Sequence, residues 1–209
     1  MTTILFDIDG TLLRSGGHGG RSMGLAMEEV WGLSDPLRDV SFVGGTDSGV
    51  AELVAPGRDP WPMWERYIEI LTDVLVECDP LVGVVSLLEA LAGADVRVGL
   101  LTGNIVEGAR AKLGAAGLVG HFDFAISGFA EHGVLREEIA AHTRGLNGDG
   151  PIVVVGDTPA DIQCARHIGA RVLTVGTGYS PADQLQSADR FVEDLSETDA
   201  ITSWLRRAV

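Results

Sequence analysis

Five short apolar runs constrain this chain more than any other feature: residues 3–6, 96–101, 122–126, 152–155 and 172–175. Most are rich in β-branched residues, none alternates polar with apolar along its whole length, and each is bounded by turn residues. A strand with one wet face alternates, whereas a strand covered on both faces does not, as in a parallel sheet layered between helices. Helix-like stretches at 82–92, 105–116, 137–144 and 160–168 separate the later runs. That alternation predicts an α/β fold with an open, doubly wound parallel sheet.

Residues 15–79 break the rhythm. A Gly-rich stretch, Gly16-Gly17-His18-Gly19-Gly20, leads into helix-like segments at 21–31, 48–54 and 63–78, with Pro36, Pro56, Pro60 and Pro62 marking the breaks. The pattern predicts a small helical unit over 15–79, inserted after the first strand of a core formed by 1–14 and 80–209. The glycines read either as a mobile linker or as a hinge.

The formal net charge of −15 argues against a protein that grips nucleic acid or an anionic membrane through its overall field. The first apolar stretch, Ile4 to Ile8, is interrupted by Asp7 and followed by Asp9, unlike a secretory leader, and no run approaches the ~20 residues of a membrane span. Cys78 and Cys164 are far apart and read as reduced, buried thiols. The expectation is a soluble, cytoplasmic protein. Its oligomeric state is not legible.

Open parallel sheets bind ligands beyond the carboxyl ends of their strands. Polar groups cluster where the apolar runs stop: Asp7-Ile8-Asp9-Gly10-Thr11 after the first, Thr102-Gly103-Asn104 after the second, and Gly156-Asp157-Thr158-Pro159-Ala160-Asp161 after the fourth. Any one of these alone is an ordinary turn or cap. Their joint occurrence at three strand ends predicts one site. Asp7, Asp9 and Asp157 offer hard oxygen ligands in a number suited to Mg²⁺. Carboxylates alone would repel a phosphate, and a cation reverses that local charge. Asp7 and Asp9, two apart on extended chain, share a face, so one can attack phosphorus while the other handles protons. Thr102 offers a hydroxyl, and the amides of Gly103 and Asn104 are expected to open a helix that favours an anion. Thr158 and Pro159 fit an N-cap and first-turn pair, with Asp161 expected to face the same mouth. The partner these groups imply is a small anionic phosphorylated metabolite. A calcium loop starting at Asp7 would need Glu at its twelfth position, where His18 stands.

In these motifs the chain resembles the haloacid dehalogenase superfamily, and specifically its phosphoglycolate-phosphatase-like members with a helical cap. Phe6-Asp7-Ile8-Asp9-Gly10-Thr11-Leu12 is similar to the nucleophile motif, Leu101-Thr102-Gly103-Asn104 to the second motif and Gly156 through Asp161 to the fourth. The resemblance implies that Asp7 forms an aspartyl-phosphate and that Asp9 is the general acid/base, its backbone carbonyl also touching Mg²⁺. It implies further that Asp157 ligates the metal, Asp161 supports it and Thr102 binds the phosphoryl group. Phe42-Val43-Gly44-Gly45-Thr46-Asp47 resembles the cap loop that faces the active site, and Gly176-Thr177-Gly178-Tyr179 the loop after the last core strand.

The third motif departs from the family, which places a lysine there. The only lysine, Lys112, lies within the helix after Thr102 and reads as a solvated helix residue; Arg136 aligns with the motif, with Lys112 as the alternative replacement for the motif lysine. Arg14, Arg21 and Arg58 are candidates for a second substrate anion. Trp61, Met63 and Trp64 line a pocket or, as such spacing more often means, pack helices. No Gly-x-Ser-x-Gly elbow, Gly-x-Gly-x-x-Gly or P-loop pattern occurs. The expected activity is a Mg²⁺-dependent phosphatase, with a phosphomutase or a catalytically weakened binding protein on the same fold as alternatives.

Overall fold

The protein is described by a computed structural model covering residues 1–207. Five parallel strands form one sheet in the order β2-β1-β3-β4-β5: β1 (Thr2–Phe6), β2 (Val96–Leu100), β3 (Ile152–Gly156), β4 (Arg171–Val175) and β5 (Arg190–Val192). β1 is an interior strand, pairing Phe6 with Leu100 on one side and Val155 on the other. The chain crosses to one side of β1 for β2 and to the other for β3, so a topological switch point lies beyond the carboxyl end of β1. Asp7 sits there, its amide still donating to the Val155 carbonyl at 2.9 Å.

The predicted helices appear at α4 (Val84–Ala92), α5 (Val106–Ala115), α6 (Arg136–Asn147) and α7 (Pro159–His167), with α8 (Thr198–Arg206) closing the chain. β1 and β3 are buried along their whole length, as their unbroken apolar character requires. Between β1 and α4 lie three helices, α1 (His18–Trp31), α2 (Asp47–Val54) and α3 (Trp61–Val74), and no strand of the sheet. α1 packs along α3 through Met23, Met27, Met63, Tyr67 and Leu71, and this cluster is continuous with the apolar core under β1. Cys78 and Cys164 are free and buried. Among the described residues no helix is long and apolar enough to cross a membrane.

Three local expectations fail. Residues 122–126 are not a strand: Asp123 accepts from the Ala125 amide at 2.9 Å, a local turn that competes with strand pairing and folds Phe124–Ile126 into a 3₁₀ turn. The segment still covers the outer edge of β2, because the Asp123 and Gly128 amides donate to Val98 and Leu100. β5 carries no clear sequence signal because it is three half-buried residues long, as suits an edge strand. The Gly-rich stretch is not all linker, since His18, Gly19 and Gly20 open α1.

Candidate active site

A cavity of about 340 Å³ lies beyond the carboxyl end of β1, between the sheet and helices α1–α3. Asp7, Asp9, Thr102, Gly103, Asn104, Arg136 and Asp157 all line it, together with Phe42 through Asp47. Side-chain oxygens of Asp7, Asp157 and Asp161 lie within 4.8 Å of one another, all buried. The Asp7 carboxylate accepts from its neighbour's Ile8 amide at 2.8 Å and pairs with Arg136 at 3.2 Å. Asp157 accepts from the Thr11 hydroxyl at 2.9 Å. Its other oxygen fits only because Gly10 and Gly178 lack side chains: a Cβ at either would stand 2.5 Å and 1.8 Å from it, respectively.

Asp161 does not face the mouth. It is fully buried beneath it, accepting from the Asp157 amide, from the Thr158 amide and hydroxyl, and from Arg136. The capping geometry expected of Thr158 and Pro159 is present, and it turns the carboxylate inward to hold the loop that carries Asp157.

Burial pushes Asp7 up to about 6 against the pull of Arg136, with Asp161 adding to the rise. Burial also pushes Asp157 up to about 8, helped by the charges of Asp161 and Asp7. Three clustered carboxylates thus face one buried guanidinium, and the shortfall of positive charge can be met by protons or by a cation. The donor set is all hard oxygen, so these residues fit a small divalent ion such as Mg²⁺.

Asp9 is drawn elsewhere. Its Oδ2 accepts from Lys112 Nζ at 2.6 Å and Asn104 Nδ2 at 2.9 Å, while its Oδ1 faces the Ser15 hydroxyl at 3.4 Å. Lys112 is not a solvated helix residue: it is only 5% exposed, and Nζ also donates to Asn104 Oδ1 at 2.6 Å. Burial raises the Asp9 carboxyl, but the charge and hydrogen bond of Lys112, with those of Asn104 and Ser15, outweigh it and hold Asp9 below its ordinary range. The signal for Lys112 is present in α5, whose buried face is Gly108, Ala109, Lys112 and Leu113, an i, i+4 stripe into which the lysine falls.

The helix expected to receive an anion is already capped. α5 begins at Val106, past Gly103 and Asn104; the Val106 amide donates to Glu131 and the Ile105 amide to Asp47. Asn104's side chain is committed to Asp9, Lys112 and the Thr102 hydroxyl. Asp47 comes from the inserted segment, and its amide donates to the Gly103 carbonyl at 2.7 Å. Thr46 and Ser48 add hydrogen bonds of 2.6 Å to the carbonyls of Val134 and Ala130. The residues 46–48 therefore pin α2 to the loops that carry the site. Burial raises the Asp47 carboxyl to about 6 although Lys112 and the Ile105 amide oppose it.

Of the arginines proposed for a second anion, Arg14 lines the cavity beside Tyr179, its guanidinium 5.3 Å from the ring. All three guanidinium groups donate to carbonyls, Arg14 to Thr177, Arg21 to Gly16 and Arg58 to Trp31, and Arg14 is the one of them that lines the cavity. Met63 and Trp64 are buried packing residues and Trp61 is exposed; Tyr67 is the α3 residue that reaches the cavity. The glycines of α1 have a packing reason: a Cβ on Gly19 would lie 3.3 Å from Lys112 Nζ, and one on Gly20 would lie 3.3 Å from the Phe42 ring.

Residues 4–175 match the family model of haloacid dehalogenase-like hydrolases. The chain is 27% identical over 193 residues to a phosphoglycolate phosphatase of Aquifex aeolicus, covering 86% of each protein. It is also 27% identical over 224 residues to one of Cereibacter sphaeroides, covering 99% of each. Among solved structures, CbbY from Rhodobacter sphaeroides in complex with phosphate superposes with a TM-score of 0.74 at 16% identity, over 93% of this chain and 95% of that one. A variant of CbbY in complex with xylulose-(1,5)bisphosphate gives 0.72 at 17% identity over the same shares.

Proposed function

The chain belongs to the haloacid dehalogenase-like hydrolases, and from that premise we propose that it is a Mg²⁺-dependent phosphatase of a small phosphomonoester, with Asp7 as nucleophile. The observation that carries this reading is the arrangement at the switch point. Asp7 lies at the carboxyl end of β1, held by Arg136, with Asp157 beside it and Asp9 two residues on.

In the proposed reaction Asp7 attacks phosphorus, forming the aspartyl-phosphate, as Asp9, which rests ionised against Lys112 and must first take up a proton with the incoming ester, passes that proton to the departing ester oxygen. Asp9 then takes a proton from the water that cleaves the acyl-phosphate. Arg136 offsets the charge of Asp7 and of the transferring group, and its one terminal nitrogen Nη2 reaches Asp7 and Asp161 together. Thr102 and the Gly103 amide line the phosphate's side of the cavity. Asp7, Asp157 and the Asp9 carbonyl would hold Mg²⁺, with Asp161 fixing the Asp157 loop. The ion supplies the positive charge that lets a dianionic ester approach these acids.

Residues 15–79 serve as the cap. Its loop at 42–47 closes one wall of the cavity, which has room for a phosphoryl group and a short organic remainder. The phosphoglycolate phosphatases it resembles, and the second anionic group such a substrate carries, suit Arg14 at the mouth. The test is phosphate release from a panel of small phosphomonoesters, phosphoglycolate and a sugar bisphosphate included, with and without Mg²⁺. Metal-dependent release that disappears in Asp7→Asn is expected. Full activity in that variant would remove Asp7 from its role, and transfer of the phosphate to a second sugar rather than to water would make the protein a mutase.

A further inference from the structure

We propose that Lys112 is a positioning residue for Asp9, and that it does not stand in for the motif lysine on the nucleophile and phosphate. The inference rests on the phosphatase reading for the role of Asp9 and on geometry for everything else.

The two buried cations divide the acids between them. Arg136 holds Asp7 and Asp161. Lys112 reaches across from α5 to Asp9, and its ammonium is spent there: two of its three N–H groups go to Asp9 and Asn104, each at 2.6 Å. The backbone of Gly19 from the cap lies against the same nitrogen, so close that a Cβ there would stand 3.3 Å from it, and Asp47 adds a second negative charge nearby. Little of the ammonium is left to meet a phosphate.

The lysine also settles the direction of the Asn104 amide. With Oδ1 taken by Nζ, the Nδ2 end must point to Asp9 and to the Thr102 hydroxyl, at 2.9 and 2.8 Å. Remove Lys112 and Asp9 loses a direct bond while Asn104 loses the reason to present its donors. A general acid has to stand within hydrogen-bond reach of the leaving oxygen, and displacement by about 1 Å can cost about 100-fold. The polar lysine on an otherwise small and apolar helix stripe is thereby accounted for, as is the glycine at position 19 that makes room for it.

The experiment compares two esters with Lys112→Met, which keeps the stem of the side chain and removes the charge. Alkyl phosphates need their leaving oxygen protonated, whereas p-nitrophenyl phosphate expels a stable phenolate unaided. With Mg²⁺ present, kcat/KM, which reports the step that expels the alcohol and not the hydrolysis common to both esters, should fall by about 10- to 100-fold more on the alkyl ester than on the nitrophenyl ester. In an Asp9→Asn background the lysine change should cost nothing further, since it acts through Asp9. Equal losses on both esters, or losses that multiply with Asp9→Asn, would put Lys112 on the phosphoryl group and overturn the inference. A crystal structure of Lys112→Met decides independently of activity: Asp9 should leave its place against Asn104, and finding it unmoved would equally refute the clamp. If the parent protein releases phosphate from neither ester, the phosphatase reading falls, and the position of Asp9 in that crystal structure still tests the role of Lys112.

Discussion

Gly103 is where the cap loop meets the strand-end loop most tightly, and Gly103→Ala tests whether that seat governs catalysis. A Cβ there would stand 2.1 Å from the Gly45 carbonyl oxygen and 3.1 Å from Thr46 Cα. Every atom it meets is backbone, so no rotamer change relieves the overlap, and the loop must retreat by about 1.3 Å to regain van der Waals contact. Retreat stretches the 2.7 Å bond from the Asp47 amide to the Gly103 carbonyl. It also draws the buried Asp47 carboxylate away from the Ile105 amide, now 2.8 Å distant. One lost hydrogen bond of about 1 kcal/mol and a stranded buried acceptor at about 1–3 kcal/mol sum to about 2–4 kcal/mol against the seated cap. Because the cap can shed this strain by lifting, the sheet should remain folded while the closed form becomes scarcer. The expected result is a kcat/KM at least about tenfold below the parent, since a shift of this size displaces the cavity wall by more than catalytic geometry tolerates, with faster limited proteolysis within residues 15–79. Gly114→Ala, in the helix that follows and with its nearest neighbour 4.0 Å away, is the control and should stabilise by roughly 0.5–1 kcal/mol. Unchanged kcat/KM and unchanged proteolysis in Gly103→Ala would refute the argument that this contact seats the cap.

Arg136→Met leaves two buried carboxylates without their shared cation and should destabilise the protein by about 3–5 kcal/mol, read by denaturant unfolding, besides removing phosphate release. A loss below about 1 kcal/mol would show that the cluster does not depend on this charge. In metal-free protein the raised values of Asp7, Asp47 and Asp157 mean that the folded state keeps protons the unfolded chain has shed above its ordinary carboxylate range. Their contribution to stability is therefore fully present at the ordinary carboxylate range and is lost as pH rises towards about 8. Asp9, held low, contributes only beneath that window. The thermal midpoint should fall across it, and Mg²⁺ should raise the midpoint more at its alkaline end than at its acid end; a larger effect of Mg²⁺ at the acid end would contradict the proposed ligand set.

What is legible in the chain and what is not divide along a physical line. β1, β3 and β4 are legible because burial on both faces writes itself into consecutive residues, the half-buried β2 because its run is still mostly apolar, and the switch point follows from acids standing where those runs end. The segment 122–126 misleads because an apolar run is the same string whether it pairs or turns, and the decision rests with one Asp123 side chain bonding two residues ahead. Asp161 and the start of α5 mislead for a related reason. Sequence indicates that a helix end wants an anion; it does not indicate that Asp47 and Glu131, from two distant segments, already supply it. Lys112 belongs to a third kind. Taken by charge alone it is a surface residue, but taken by periodicity it shares a stripe with Gly108, Ala109 and Leu113, a face too small and apolar to be solvated. A lone lysine on such a stripe, in a helix that starts near the end of a sheet strand, has to find a carboxylate inside the protein, and the acid within its reach is Asp9.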